Sequence, residues 1–125
     1  MVNFVSIAIT TIGVFIFGML WYSSAFFGKT WKKYVRTKDP SGAAFLAELI
    51  ITFVMVWIAA WFVTRLAQPI FVAGAVVGGM IWLGFVMPAT LSEILWTKRN
   101  VKVWVINNGY RLISLVIASG ILAVW

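Results

Sequence analysis

Four long runs of apolar residues dominate the chain, at about 2–27, 40–64, 69–96 and 101–125, and basic residues gather in the short gaps between them. Each run exceeds the ~20 residues that a helix needs to cross the hydrocarbon core of a bilayer. None alternates apolar and polar positions as the strands of a membrane barrel do. An open strand would leave backbone N–H and C=O groups without partners in lipid. The pattern therefore predicts an all-α fold, a transmembrane four-helix bundle forming a single domain over residues 1–125. The first run is expected to be a retained span rather than a signal peptide, because no basic residue precedes it and the basic block follows it.

Local signals refine the boundaries. Asp39-Pro40 reads as an N-cap followed by Pro at the first helical position, and Gln68-Pro69 opens the third span by the same logic. Pro88 falls inside the third span, where it removes a backbone bond and crowds the carbonyl of Gly84, so a kink is expected there. Gly74, Gly78 and Gly79 form small-xxx-small patterns that admit a second helix at close range, either from this chain or from another copy. Both contacts are expected, and because four short helices bury little, a homo-oligomer is a reasonable expectation.

Between the first two spans, Lys29, Lys32, Lys33 and Arg36 recur at helical spacing, with Phe27, Trp31, Tyr34 and Val35 on the opposite side. This predicts a short amphipathic helix lying on the membrane surface, aromatics in the acyl boundary and cations among anionic headgroups of the inner leaflet.

Composition agrees with the pattern. Hydrophobic residues make up 63% of the 125 and charged residues 10%, against roughly 25% charged in soluble domains. The net charge is +7, yet it sits in short gaps and not on a polar surface, so nucleic acid is not an expected partner. The gap after span one holds five basic residues and the gap after span three holds Lys98, Arg99 and Lys102, whereas the gap between spans two and three holds only Arg65. The positive-inside bias then predicts a multi-pass protein of the plasma membrane with loops one and three cytoplasmic and both termini outside. Trp31, Tyr34, Trp96 and Trp104 fit an inner aromatic belt, Trp61, Phe71 and Trp125 an outer one, and Trp57 and Trp82 are expected to pack between helices. With no Cys and no His, thiolate and imidazole chemistry is excluded, and no cofactor or metal is expected.

The ionisable residues inside the spans are Glu48, Glu93 and Arg111. An unpaired charge at a helix centre costs about 3 kcal/mol on insertion scales, and all three lie toward the basic loops. A buried pair, Glu48–Arg111 or Glu93–Arg111, is the natural expectation. Asn107, Arg111 and Ser114 share a face of the fourth span, with Asn108 and Tyr110 beside it. Tyr22, Ser23, Ser24, Thr90 and Ser92 are candidates to complete a polar pocket. Such a stripe faces protein or water, and it serves either as interhelical glue or as a functional site.

Leu20-Trp21-Tyr22-Ser23 followed by Phe27-Gly28-Lys29-Thr30-Trp31 resembles the first-helix signature of the domain of unknown function (DUF) 1761 family. Trp82-Leu83-Gly84-Phe85 with Pro88, and Ile106-Asn107-Asn108-Gly109-Tyr110, resemble its later blocks. The resemblance implies a short, four-helix bacterial or archaeal membrane protein and carries no activity. It also implies two departures: Arg111 where members often have His, and Glu93 where an amide is expected.

Two functions follow as expectations. One is a small oligomeric transporter or permeation protein with a polar site in the cytoplasmic half. The other is a non-catalytic accessory, scaffold or lipid-interacting protein whose basic-aromatic first loop binds anionic lipid or a partner. No nucleophile constellation is visible, so an enzyme is not expected.

Overall fold

The structure, a computed structural model that describes residues 3–35 and 41–125, contains five helices: α1 (Phe4–Trp21), α2 (Gly28–Val35), α3 (Gly42–Leu66), α4 (Phe71–Thr97) and α5 (Val101–Val124). The four long ones are apolar enough to cross a membrane, and α2 is the short helix between spans one and two. The chain is an all-α, multi-pass integral membrane protein.

Three boundaries differ from expectation. α1 ends at Trp21 and not near residue 27. There the Ser23 hydroxyl donates to the Leu20 carbonyl at 2.6 Å, and the N–H groups of Ser23, Phe26, Phe27 and Gly28 close successive turns onto the carbonyls of Leu20, Ser23 and Trp21. Serine offers the backbone an alternative to the helix. A Cβ on Gly28 would overlap the carbonyl oxygens of Tyr22 and Ser23, so this turn admits only glycine. α3 is capped by Ser41, whose hydroxyl accepts from the N–H of Ala44 at 3.2 Å; Asp39 and Pro40, expected to open this span, lie outside the described residues, as does Arg36. α4 begins at Phe71, beyond Pro69. The Ile70 N–H closes a turn onto the Gln68 carbonyl at 2.7 Å, and Ile70 itself is extended, so Pro69 belongs to the turn and not to the helix.

At the other end of α4, Lys98 adopts a left-handed conformation with φ 54°, and its N–H closes the helix onto the Ile94 carbonyl. Asn100 then caps α5, accepting from the N–H of Lys102 at 2.8 Å. So short a connection makes α4 and α5 antiparallel neighbours.

α5 is the centre of the bundle and packs against the other three spans. Half of its most apolar window is buried, against 11% for α4. The α4–α5 contact is the most extensive in the molecule, and glycine makes it so. A Cβ on Gly74 or Gly78 would overlap the carbonyl oxygen of Ser119 or Leu115, so only a bare backbone approaches this closely. Gly79 meets nothing nearer than a Val116 methyl at 3.8 Å. The Gly74-x-x-x-Gly78 pattern is therefore used within the chain.

The core is lopsided. In α1 the buried residues are Ser6, Ile7, Thr10, Thr11 and Val14, and in α3 they are Thr52, Val56, Ala59, Ala60 and Val63. Because α1 and α3 run in opposite directions, both sets fall in the same half of the bundle, away from the basic loops. In the basic half, residues 41–47 of α3 are all exposed, and Met87–Thr97 of α4 has no buried residue.

Candidate functional site

Where the helices separate, they enclose a cavity of about 740 Å³ at the basic end. All four spans and α2 contribute to its wall. Of the expected polar residues, Glu48, Glu93, Asn107, Asn108, Tyr110 and Arg111 all line it, joined by Tyr22 and Thr90. Ser114 does not: it is 2% exposed, packed inside the closed half's edge. Ser23, Ser24 and Ser92 also stay off the wall, the first being taken up in the turn that ends α1.

The expected ion pair does not form. Among the described residues, neither Glu48 nor Glu93 reaches ion-pairing distance of Arg111. Glu48 on α3 and Arg111 on the central helix face a shared cavity and not a closed helix contact. Glu48 and Arg111 are both half-buried, and both act electrostatically on the hydroxyls of Tyr22 and Tyr110. Glu93 is exposed near the basic loop, in the wall that also holds Arg99 and Lys32.

The cavity is held open by hydrogen bonds that converge on Asn107 and Asn108. The Asn107 side-chain oxygen accepts from the Tyr22 hydroxyl at 2.6 Å and from the Trp31 indole N–H at 3.0 Å. This ties the end of α1 and the whole of α2 to α5. Its amide NH₂ has no protein partner among the described residues. Asn108 faces α4. Its carbonyl accepts from the Trp82 indole at 3.0 Å, and its side-chain NH₂ donates to the Trp104 carbonyl. The Thr90 hydroxyl accepts from the Trp104 indole at 2.9 Å, and its one proton is shared between the Val86 carbonyl at 2.7 Å and the Asn108 amide oxygen at 3.1 Å. The Trp21 indole donates to the Ile106 carbonyl at 3.0 Å. Four indoles thus brace α5 over one turn, where an unpartnered N–H in lipid would cost several kcal/mol. Sequence pattern alone assigned Trp31 and Trp104 to an interfacial belt; the adjacent amides on α5 were the signal that these indoles have fixed acceptors.

α2 accordingly lies differently from expectation. Lys29, Lys32 and Lys33 are exposed while Trp31, Tyr34 and Val35 are half-buried, so the amphipathic reading holds. The aromatic face, however, covers the end of the bundle instead of entering lipid. Trp31 bonds Asn107 and meets the Tyr22 ring edge-on at 5.7 Å, and the Tyr34 hydroxyl accepts from the Lys102 ammonium at 3.2 Å. Trp31 and Lys32 roof the cavity.

Pro88 acts through a wide turn. Residues Trp82–Val86 form a π-helical segment in which the Met87 N–H reaches back to the Trp82 carbonyl. At Gly84 an added Cβ would meet open space. The turn sets the phase of α4. In a regular helix, residues eight apart differ by about 80° in direction. With one residue absorbed by the π-turn the separation becomes effectively seven, about 20° from alignment. Trp82 and Thr90, eight apart, therefore both face Asn108.

Residues 5–123 match the family described as protein of unknown function, DUF1761, and the chain belongs to that family. No curated protein and no solved structure matches it.

Proposed function

We propose that this DUF1761 protein is a small transport or permeation protein whose substrate site is the cavity at its basic end. One observation carries the reading: Glu48 and Arg111 stand half-buried on the wall of a single cavity without pairing to each other. Charges kept only as interhelical glue would be expected to neutralise one another in a dry contact, since an uncompensated charge inside a membrane is costly. A cavity closed over one half of the bundle and open over the other also resembles one end-state of an alternating-access cycle. The positive-inside bias puts the open end in the cytoplasm and both termini outside. The reading is non-catalytic: Glu48 engages a cation or proton and Arg111 an anionic group.

The test is flux in liposomes containing purified protein. Proton or cation flux that is lost in Glu48→Gln and Arg111→Ala, with both variants still folded, supports transport. Absence of flux in the unmodified protein across a panel of ions overturns it.

A second reading has its own support. The exposed Lys29, Lys32 and Lys33 on the outside of the docked α2 form a basic surface suited to anionic lipid. On that reading the protein is an accessory or lipid-interacting component. Binding to anionic vesicles that survives loss of every cavity charge, with no flux, favours it.

A further inference from the structure

The cavity wall carries both signs of charge on an apolar, aromatic lining. Glu48 and Glu93 supply carboxylates; Arg111, Arg99 and Lys32 supply cations. Arg111 stands one helical turn from Asn107, on the same face of α5. Neither the guanidinium of Arg111 nor the amide NH₂ of Asn107 has an acceptor among the described residues, so together they form a donor set without an anion. Glu48 faces the same space from α3, with no ion pair to its carboxylate among the described residues. Six aromatic rings line the same wall (Phe15, Tyr22, Trp31, Phe45, Trp104 and Tyr110), a surface that favours a cationic group beside a carboxylate.

A purely cationic ligand would leave Arg111 facing it, and a purely anionic one would meet Glu48; either mismatch leaves a half-buried charge uncompensated. A head bearing one anionic and one cationic group satisfies both walls. Met87–Thr97 packs on α5, whereas α3 packs on the other half of α4, Phe71–Ile81, so the main α3–α4 contact lies away from the cavity-lining half of α4. Phe45 of α3 lines the cavity and is 45% exposed. The volume, about 740 Å³, suits a headgroup with its first tail segments.

We propose that the cavity binds a zwitterionic amphiphile, of the phosphate-and-ammonium headgroup class, drawn from the membrane through the gap between α3 and α4, with the anionic group on Arg111 and Asn107 and the ammonium on Glu48. The inference takes the cavity as the site, as the transport reading does, but it needs no flux.

Native mass spectrometry of the detergent-purified protein tests it. Short-chain phosphatidylethanolamine, short-chain phosphatidylglycerol, an alkyltrimethylammonium and soluble phosphoethanolamine are titrated in parallel. The zwitterionic lipid should bind at least about tenfold more tightly than the anionic or cationic amphiphile, the difference expected for one compensated charge. It should also outbind its soluble head, which lacks the tail. Glu48→Gln should move the preference toward phosphatidylglycerol and Arg111→Met toward the alkyltrimethylammonium, while Arg111→Lys keeps the original order. Equal binding of all three amphiphiles, a preference for either singly charged one, or an order unchanged by both charge removals overturns the proposal. So does equal binding of lipid and soluble head, which would make the tail and the lateral gap irrelevant. The order in the unmodified protein decides the matter even where a variant fails to fold. Selective lipid binding without flux would sink transport and leave this inference standing; flux without such selectivity would do the reverse.

Discussion

The Tyr22 hydroxyl lies 2.6 Å from the side-chain oxygen of Asn107, joining the end of the first span to the second turn of the last across 85 positions of sequence. That oxygen also accepts from Trp31, so one amide fixes two aromatic residues of the cavity roof. Asn107→Leu should strand both donors. Each unmet donor costs about 1–3 kcal/mol, so a loss of about 2 kcal/mol or more is expected in thermal melts in detergent. Amide exchange across Gly28–Val35 should quicken as α2 undocks. Tyr22→Phe, which removes one donor and strands nothing, should cost about 1 kcal/mol and leave α2 protected. Unchanged protection of α2 in Asn107→Leu would refute the role given to Asn107.

The glycines of α4 are not equivalent. Gly78→Ala drives a methyl into the Leu115 carbonyl and should destabilise the protein by about 1–3 kcal/mol, as overpacking does. Gly84→Ala meets open space and should be neutral, or stabilising by up to about 1 kcal/mol through the backbone entropy of glycine. A melt series of both variants, with Gly79→Ala as an intermediate, checks the order.

Phase in α4 gives a further expectation. Removing Leu83 together with Pro88→Ala should convert the π-turn to an ordinary helical turn and still leave Trp82 and Thr90 facing Asn108. Removing Val76 should rotate Gly74 away from Gly78's face by about 100° and break the close contact with α5. The first variant should fold within about 1 kcal/mol of the parent, and the second should not fold. Equal melting of the two would refute the phase argument.

The orientation is testable with single cysteines, because the natural chain has none. Cysteine placed at Asn3 or Trp125 should react with an impermeant maleimide added to intact cells, and cysteine at Lys33 only after lysis. The opposite labelling would reverse the topology assigned by charge.

Much of this was legible in the residues. Four spans, an amphipathic helix between the first two, the membership of one polar wall by Glu48, Glu93, Asn107, Asn108, Tyr110 and Arg111, and the close contact at Gly74 and Gly78 all follow from periodicity and from the cost of polar groups in lipid. The span ends failed on local turn and capping bonds at Ser23, Ser41 and Ile70, and the contacts failed because spacing along a helix gives a face, not a distance. Glu48 and Arg111 sit at matched depth, but they face a shared cavity and no pair forms among the described residues. Trp31 has the pattern of a lipid-facing aromatic, but Asn107 is near enough to accept from it.

The sequence by itself thus determined where the chain runs and which residues must hide from lipid, because hydrophobicity and backbone hydrogen bonding act residue by residue. Only the tertiary structure decided which hidden polar groups meet. A hydrogen bond or ion pair requires contact within about 3–4 Å, and helix tilt, the π-turn before Pro88 and the docking of α2 set those distances through packing that no single segment specifies.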